Sequence, residues 1–439
     1  MTAAAERLIA RVTGAAERLV ARSRDRLTGE LSRFGSHPGL GWLVVVGYLA
    51  YVVYATLDWQ VPSSGGLRFA PVWGVCALGL AGLVRLVRGR LGPTGMLASA
   101  ALAGMLVTDL TMFWTQDLRD LHLYLKAGAN YLDGNRVYLD RLITERPADL
   151  TDYPFLYPPL TLPFFAVLAE LPRSLVDGAW VIASGGLAIG GLRAIGLPWR
   201  WCAAALVWPP FAQGLYVGNV AMPVFALFAA APWLGLGLVV AAIFKLYSGI
   251  GALWLVRERH LGALVAGVLV TIGLVVTTLP LTGIDRWLEW LSGLGWYSRS
   301  QPLLPGFLYG IGLPRYVPAP VGVAAGLLVL AAAIRARGHV GLARVGVATV
   351  AASPSLFPHG LLVVVPSLVT LPPMAFWLAI GITSVAPGLA WWAAIGLLIA
   401  SWLPLQSPSP AQRRRDDDLH PLGSSRTPWP TAPGIPLDE

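Results

Sequence analysis

The chain has 439 residues, of which 56% are hydrophobic and only 13% charged, with a mean hydropathy of +0.64 and a formal net charge of +9. Soluble domains carry roughly 45–50% apolar and about 25% charged residues, so an ordinary water-soluble protein is excluded. The positive charge is not a nucleic-acid footprint: the arginines gather at the N-terminus and in short turns between apolar runs, the pattern of cytoplasmic loops. Cys76 and Cys202 both lie in apolar stretches and offer neither a disulfide framework nor zinc spacing.

Residues 4–11 (AAERLIAR) recur at 15–22 as AAERLVAR. A period of eleven residues is close to three helical turns and puts Leu8, Ile9, Leu19 and Val20 on one face. The segment 1–38 therefore reads as an amphipathic helix on the anionic inner leaflet, with a solvated helical tail as the alternative. No cleavable signal peptide is expected, because the first apolar run starts near Leu40 and lacks a small-residue cleavage site.

Spanning helices need about 20 mostly apolar residues. Three candidates follow, at 39–57, 71–87 and 94–113. With Arg7 to Arg33 and then Arg85, Arg88 and Arg90 inside, the third segment exits on the outer face and leaves 114–155 extracytoplasmic. From the other end, the tail 405–439 reads as disordered and cytoplasmic. Segments near 388–404, 374–387, 359–372, 340–353, 319–336 and 261–281 then alternate. That parity puts Arg335, Arg337 and Arg257-Glu258-Arg259 inside and 282–318 outside. The middle stretch, 156–256, must cross three or five times, with half-helices broken at Pro209-Pro210 or Pro223 as one solution. The expected fold is all-α, a polytopic membrane protein of about 12–14 segments. Its parts are the tail 1–38, three helices over 39–113, a membrane core over 114–404 and the tail 405–439, with both termini cytoplasmic.

Twelve charged side chains fall in 114–155. Asp117, Asp120, His122, Tyr124 and Lys126 come within ten residues of the membrane edge. In a helix, Asp120 and Tyr124 share a face at i and i+4, with Asp117 one turn earlier. Two carboxylates at a membrane-facing cleft suit a general base, and the bland alternative is a solvated loop helix. The chain has two lysines, Lys126 and Lys245, and the second lies inside an apolar stretch. An ammonium there is costly unless paired or solvated, so a functional role is the default and snorkelling the alternative. Trp287, Trp290, Trp296 and Tyr297 in the outer stretch 282–306 suit an interfacial aromatic belt. Asp109 and Asp58, at membrane edges, suit packing or helix capping.

The run Asp120-Leu121-His122-Leu123-Tyr124, with Leu132-Asp133-Gly134 and Val137-Tyr138, resembles the first extracytoplasmic loop of glycosyltransferase family 87, whose pattern is D-L-x-V-Y-x-x-A, L-x-G, x-Y and then F-x-Y-P-P. The last element stands here as Phe155-Leu156-Tyr157-Pro158-Pro159. Gly218-Asn219-Val220 stands for G-Q/N-V-N, with Ala221 in place of the second amide. Lys245-Leu246-Tyr247 stands for K-x-Y-P, with Ser248 in place of proline. Ser353-Pro354 and His359 stand for S-P-x-S-W-x-H-H, with Phe357 for Trp and Gly360 for the second His. The resemblance covers about 115 to 372. Members usually place this loop after their first membrane helix; the two extra segments here preserve its sidedness.

The resemblance implies a GT-C-like integral membrane enzyme of the bacterial plasma membrane. It implies sugar transfer, mannose favoured, from a polyprenyl-phosphate donor to a lipid or glycan acceptor on the extracytoplasmic face, with inversion. Asp120 is then the general base and Asp117 the runner-up. His359, Lys245 and Arg299 are the candidates for the leaving phosphate. Tyr124, His122, Asn219 and Tyr157 are the other substrate-binding positions. No P-loop, GxSxG elbow or metal-spaced cluster is present in the sequence, and neither cofactor nor metal is expected. A transporter or flippase of lipid-linked sugars would explain the broken helices and Lys245 but not the outer-loop carboxylates, and the halves show no evident repeat. A non-catalytic scaffold leaves both features unexplained.

Overall fold

The chain's many prolines have to go where a missing N–H costs little, which is the first turn of a helix. A computed structural model describing residues 38–58, 82, 92–109, 117–149, 152–384 and 388–402 shows them there. Helix α1 is Pro38–Asp58 and α2 is Pro93–Thr108. Helix α3, Arg119–Leu132, opens the polar region, and α4, Leu162–Ala169, follows after an irregular stretch. Helix α5 is Arg173–Ala194. Short helices come next: α6 Trp199–Leu206, α7 Pro209–Tyr216, α8 Ala221–Ala229, α9 Gly237–Phe244 and α10 Ala252–Arg257. The long α11, Leu261–Ser300, leads to α12 Pro305–Leu308, α13 Ala319–Ala333 and α14 Gly338–Ala351. Helices α15 Val365–Leu368, α16 Pro373–Ile382 and α17 Trp391–Ala400 complete the order. Pro93, Pro209, Pro305 and Pro373 each open a helix. No strand forms among the described residues; Gly310 and Leu356 make an isolated parallel bridge.

Two described helices, α5 and α11, are long and apolar enough to cross a membrane alone. From Leu261 to the kink at Gly283, α11 covers about 33 Å at 1.5 Å per residue, enough for a hydrocarbon core of about 30 Å. It leaves Leu269 61% and Val276 60% exposed, a surface suited to lipid rather than water. The segments expected at 319–336, 340–353, 374–387 and 388–404 appear as shorter helices. The one expected at 359–372 is a 3-10 turn, Pro358–Val364, followed by α15. Proline and glycine at their ends cut them short of about 20 residues. The middle stretch is broken at Pro209 as expected, and again at 217–220, while Pro223 is absorbed into the first turn of α8.

One expectation is corrected. The stretch after 281 is helical through Ser300 rather than a loop, because Pro280 and the positive-φ Gly283 kink α11 without ending it. Its second half lies along the polar region. The Ile143 N–H donates to Ser300 Oγ at 2.9 Å, Trp290 Nε1 to the Leu156 carbonyl at 3.0 Å, and Tyr153 and Tyr297 hydroxyls meet at 2.9 Å. Trp290 and Tyr297 are thus committed to holding the loop.

The main core is built on α7, α8, α14 and the Pro358–Val364 turn, with Phe211, Phe225, Met222 and Val347 fully enclosed. At another part of the molecule, Arg257 Nε donates to the Ile334 carbonyl at 2.7 Å and Glu258 accepts the Gly338 N–H at 2.9 Å. The two turns that charge placement assigned to one side therefore touch. The 1–38 helix, the 71–87 segment and the 405–439 tail lie outside the described residues, Pro38 and residue 82 apart.

Candidate active site

Helix α3 starts with an unusual turn. Asp117 and Leu118 have φ of 45° and 49°, a left-handed conformation that costs non-glycine residues about 1–2 kcal/mol each. The turn delivers the first free N–H groups of α3 to carbonyls at the end of α7. Leu118 N–H donates to Tyr216 O at 2.9 Å, and Asp120 and Leu121 N–H to Val217 O at 2.8 and 3.3 Å. Gly218 makes the docking possible: its φ is +69°, and a Cβ there would stand 2.8 Å from Leu121 Cβ. Two turns further along α3, a Cβ on Gly128 would stand 2.5 Å from the Phe165 carbonyl, so α3 and α4 cross almost backbone to backbone.

Directly after Gly218, Asn219 reaches the helix it supports. Its Oδ1 accepts the Ala221 N–H at 2.9 Å, which fixes the amide's orientation. The Nδ2 end then donates to Asp120 Oδ2 at 2.7 Å and to the Tyr124 hydroxyl at 3.1 Å. The Tyr124 and Tyr157 hydroxyls lie 2.9 Å apart, and Tyr138 donates to the Tyr157 carbonyl at 3.0 Å. Burial raises both the Tyr124 and the Tyr157 hydroxyl above the usual phenol range, so both are neutral hydrogen-bonding groups. Asp120 Oδ1 accepts from Arg119 Nε at 3.3 Å, and its side chain is about one-fifth exposed. Each carboxylate oxygen keeps a lone pair free for an incoming hydroxyl.

Lys245 ends α9 with extended backbone, φ −144° and ψ 107°, in the break before the 3-10 turn Leu246–Gly251. Its ammonium lies 5.9 Å from the Tyr247 ring centroid and interacts electrostatically with Asp120. Ser248, where the family pattern has proline, donates to the Lys245 carbonyl and closes that turn. A Cβ on Gly360 would stand 2.7 Å from Leu356 Cδ1 and 3.3 Å from the Tyr247 hydroxyl, so this position is packed tightly by both. His359 is buried; its backbone N–H and its Nδ1 both meet Gln213 Oε1, at 3.1 and 3.0 Å. Lys245 and Arg119 both act electrostatically on its ring.

The structure thus brings together Asp120, Tyr124, Asn219, Tyr157, Lys245 and His359. It places three others elsewhere. Asp117 is exposed, outside α3 rather than one turn earlier within it, because the left-handed pair breaks the helix. It lines a cavity of about 500 Å³ with Asp109 and Tyr216. Asp109 is buried there, and its Oδ1 has no hydrogen-bond partner among the described residues. His122 points to α5, with Nε2 3.1 Å from Asp177. Arg299 is exposed, stacked 3.9 Å over the Trp296 ring, with Nε donating to the Gly295 carbonyl. The Asp58 side chain lies outside the described residues.

Sequence reasoning missed Arg119, Asp177 and Gln213. Arg119 was signalled only by adjacency to Asp120, and Asp177 and Gln213 by being polar in apolar runs. Among the described residues no group of three His, Cys, Asp or Glu side chains is placed to hold a metal.

No curated protein and no solved structure matched the chain. Residues 155–357 match the model of glycosyltransferase family 87. The match takes in Tyr157, Gly218-Asn219, Lys245-Leu246-Tyr247 and Ser353-Pro354, and it is narrower than the 115–372 suggested by the motifs: α3 lies before it and His359 two residues beyond. Over the matched stretch, just under half of the 439 residues, the chain is similar to glycosyltransferase family 87, a family of membrane enzymes that transfer sugars.

Proposed function

We propose that this enzyme moves a hexose, mannose by preference, from a polyprenyl-phosphate donor to a hydroxyl of a lipid or glycan acceptor on the extracytoplasmic face of the bacterial plasma membrane. The observation that carries the reading is the placement of one largely buried, doubly supported carboxylate, Asp120, beside the cations Lys245 and Arg119.

Transfer forms a bond from the acceptor oxygen to the anomeric carbon and breaks the bond to the phosphate oxygen. Asp120 takes the acceptor proton as the oxygen attacks. Asn219 Nδ2 and Arg119 hold the carboxylate so that its free lone pairs face the acceptor. The leaving polyprenyl phosphate gains negative charge, which the fixed ammonium of Lys245 and the Arg119 guanidinium offset in a water-poor setting. A single displacement inverts the anomeric centre. Tyr124, Tyr157 and Asn219 form a neutral polar wall suited to sugar hydroxyls. Asp117 is the second candidate base, and its separate cavity makes it the poorer one. His122, tied to Asp177, serves the seating of α3 on α5.

The test uses the purified full chain in liposomes with a radiolabelled polyprenyl-phospho-sugar and a lipid acceptor. Labelled glycolipid is the expected product. Movement of intact donor between leaflets with no glycolipid formed would instead support a flippase, and would overturn the reading.

A further inference from the structure

Gln213 sits in α7 among buried apolar side chains and is itself buried. Its Oε1 meets two atoms of His359, the backbone N and the ring Nδ1. A backbone N–H can only donate, so the amide atom facing it has to be the oxygen. An amide oxygen can only accept, so the proton between it and the ring has to be on Nδ1. No described residue hydrogen-bonds the other ring nitrogen, Nε2, although the side chain is only 4% exposed. A charged ring would carry a third positive charge beside Lys245 and Arg119, both of which act on it. The neutral ring with its proton on Nδ1 leaves Nε2 as a bare lone pair.

We propose that Gln213 is a positioning residue that sets the tautomer of His359, so that Nε2 enters the site as a hydrogen-bond acceptor for a sugar hydroxyl and not as a cation for phosphate. The proposal rests on the sugar-transfer reading above. It sharpens the division of labour there. A phosphate diester has no proton to give to Nε2, whereas every free sugar hydroxyl does. Phosphate then falls to Lys245 and Arg119 alone, and His359 reads the sugar. The oxygen of Gln213 is shared between backbone and ring, so one acceptor fixes both the position of residue 359 and the site of its proton.

Full-length protein labelled with 15N-histidine in detergent gives the tautomer directly, with the His359 signal assigned by its loss in His359→Phe. The expected spectrum shows one protonated nitrogen, Nδ1, and an unprotonated Nε2 at neutral pH. Gln213→Met, equal in length and lacking the acceptor, is expected to mix the tautomers. It is expected to raise KM about tenfold, the weight of one hydrogen bond, with kcat changed far less. A rise in donor KM assigns the hydroxyl to the transferred sugar, and a rise in acceptor KM assigns it to the acceptor. Gln213→Glu keeps both contacts, so the fold is maintained, but its carboxylate favours the doubly protonated ring. It is expected to give two protonated nitrogens and the same rise in KM. A wild-type spectrum with the proton on Nε2, or on both nitrogens, would overturn the proposal, as would unchanged KM values in Gln213→Met. The spectrum needs no turnover. A preparation with the Nδ1 tautomer and no transfer to any acceptor would therefore count against the sugar-transfer reading and remove the sugar role of Nε2 with it.

Discussion

Asn219 Nδ2 lies 2.7 Å from Asp120 Oδ2 although 99 residues separate the two in sequence. The contact couples the break between α7 and α8 to the start of α3, and it exists because Gly218 turns the chain where no side chain fits. Asn219→Ala removes the amide that orients the carboxylate and leaves it held by Arg119 alone. Steady-state transfer assays are expected to show kcat reduced about tenfold, the weight of one hydrogen bond to a charged group. Asn219→Asp is expected to be worse than Asn219→Ala, because it sets a second carboxylate against Asp120.

Lys245 and Arg299 were both candidates for phosphate on sequence, with Lys245 the stronger; Lys245 acts electrostatically on Asp120, whereas Arg299 is exposed and stacked on Trp296. Lys245→Met is expected to raise the donor KM by about 10–100-fold, the loss of a charge-assisted contact. Arg299→Ala is expected to leave both kinetic constants within about twofold of wild type, as for surface substitutions generally. Donor titrations of the two variants side by side check the pair.

Gly128→Ala tests the crossing of α3 on α4. The added methyl meets main-chain atoms of Phe165, which cannot move without shifting α4, so the change is expected to destabilise by about 1–3 kcal/mol. The readout is a lower thermal unfolding midpoint of the purified protein in detergent.

Much of the site was legible because it is local. The i, i+4 spacing of Asp120 and Tyr124 predicted a shared helix face, and the G-N and F-x-Y-P-P blocks pointed to Asn219 and Tyr157. What escaped depends on packing between distant segments. Gln213 meets His359 across 146 residues, and His122 meets Asp177 across 55. No period or spacing connects such pairs. Asp117 was misread as part of α3 because a left-handed turn in two ordinary residues has no signature of glycine or asparagine. The stretch after 281 was read as an outer loop because the apolar segment ends there, whereas Pro280 and Gly283 only bend α11.

The proposed transfer depends above all on Asp120 as its base. Asp120→Asn preserves size and the contact with Asn219 while removing the proton acceptor, and Asp117→Asn is its matched control. Transfer of labelled sugar by the two purified variants, at saturating donor and acceptor, is the direct measurement. Turnover is expected to fall about 10²–10⁴-fold in Asp120→Asn and to stay near wild type in Asp117→Asn. Full turnover in Asp120→Asn, with the loss appearing in Asp117→Asn, would contradict it.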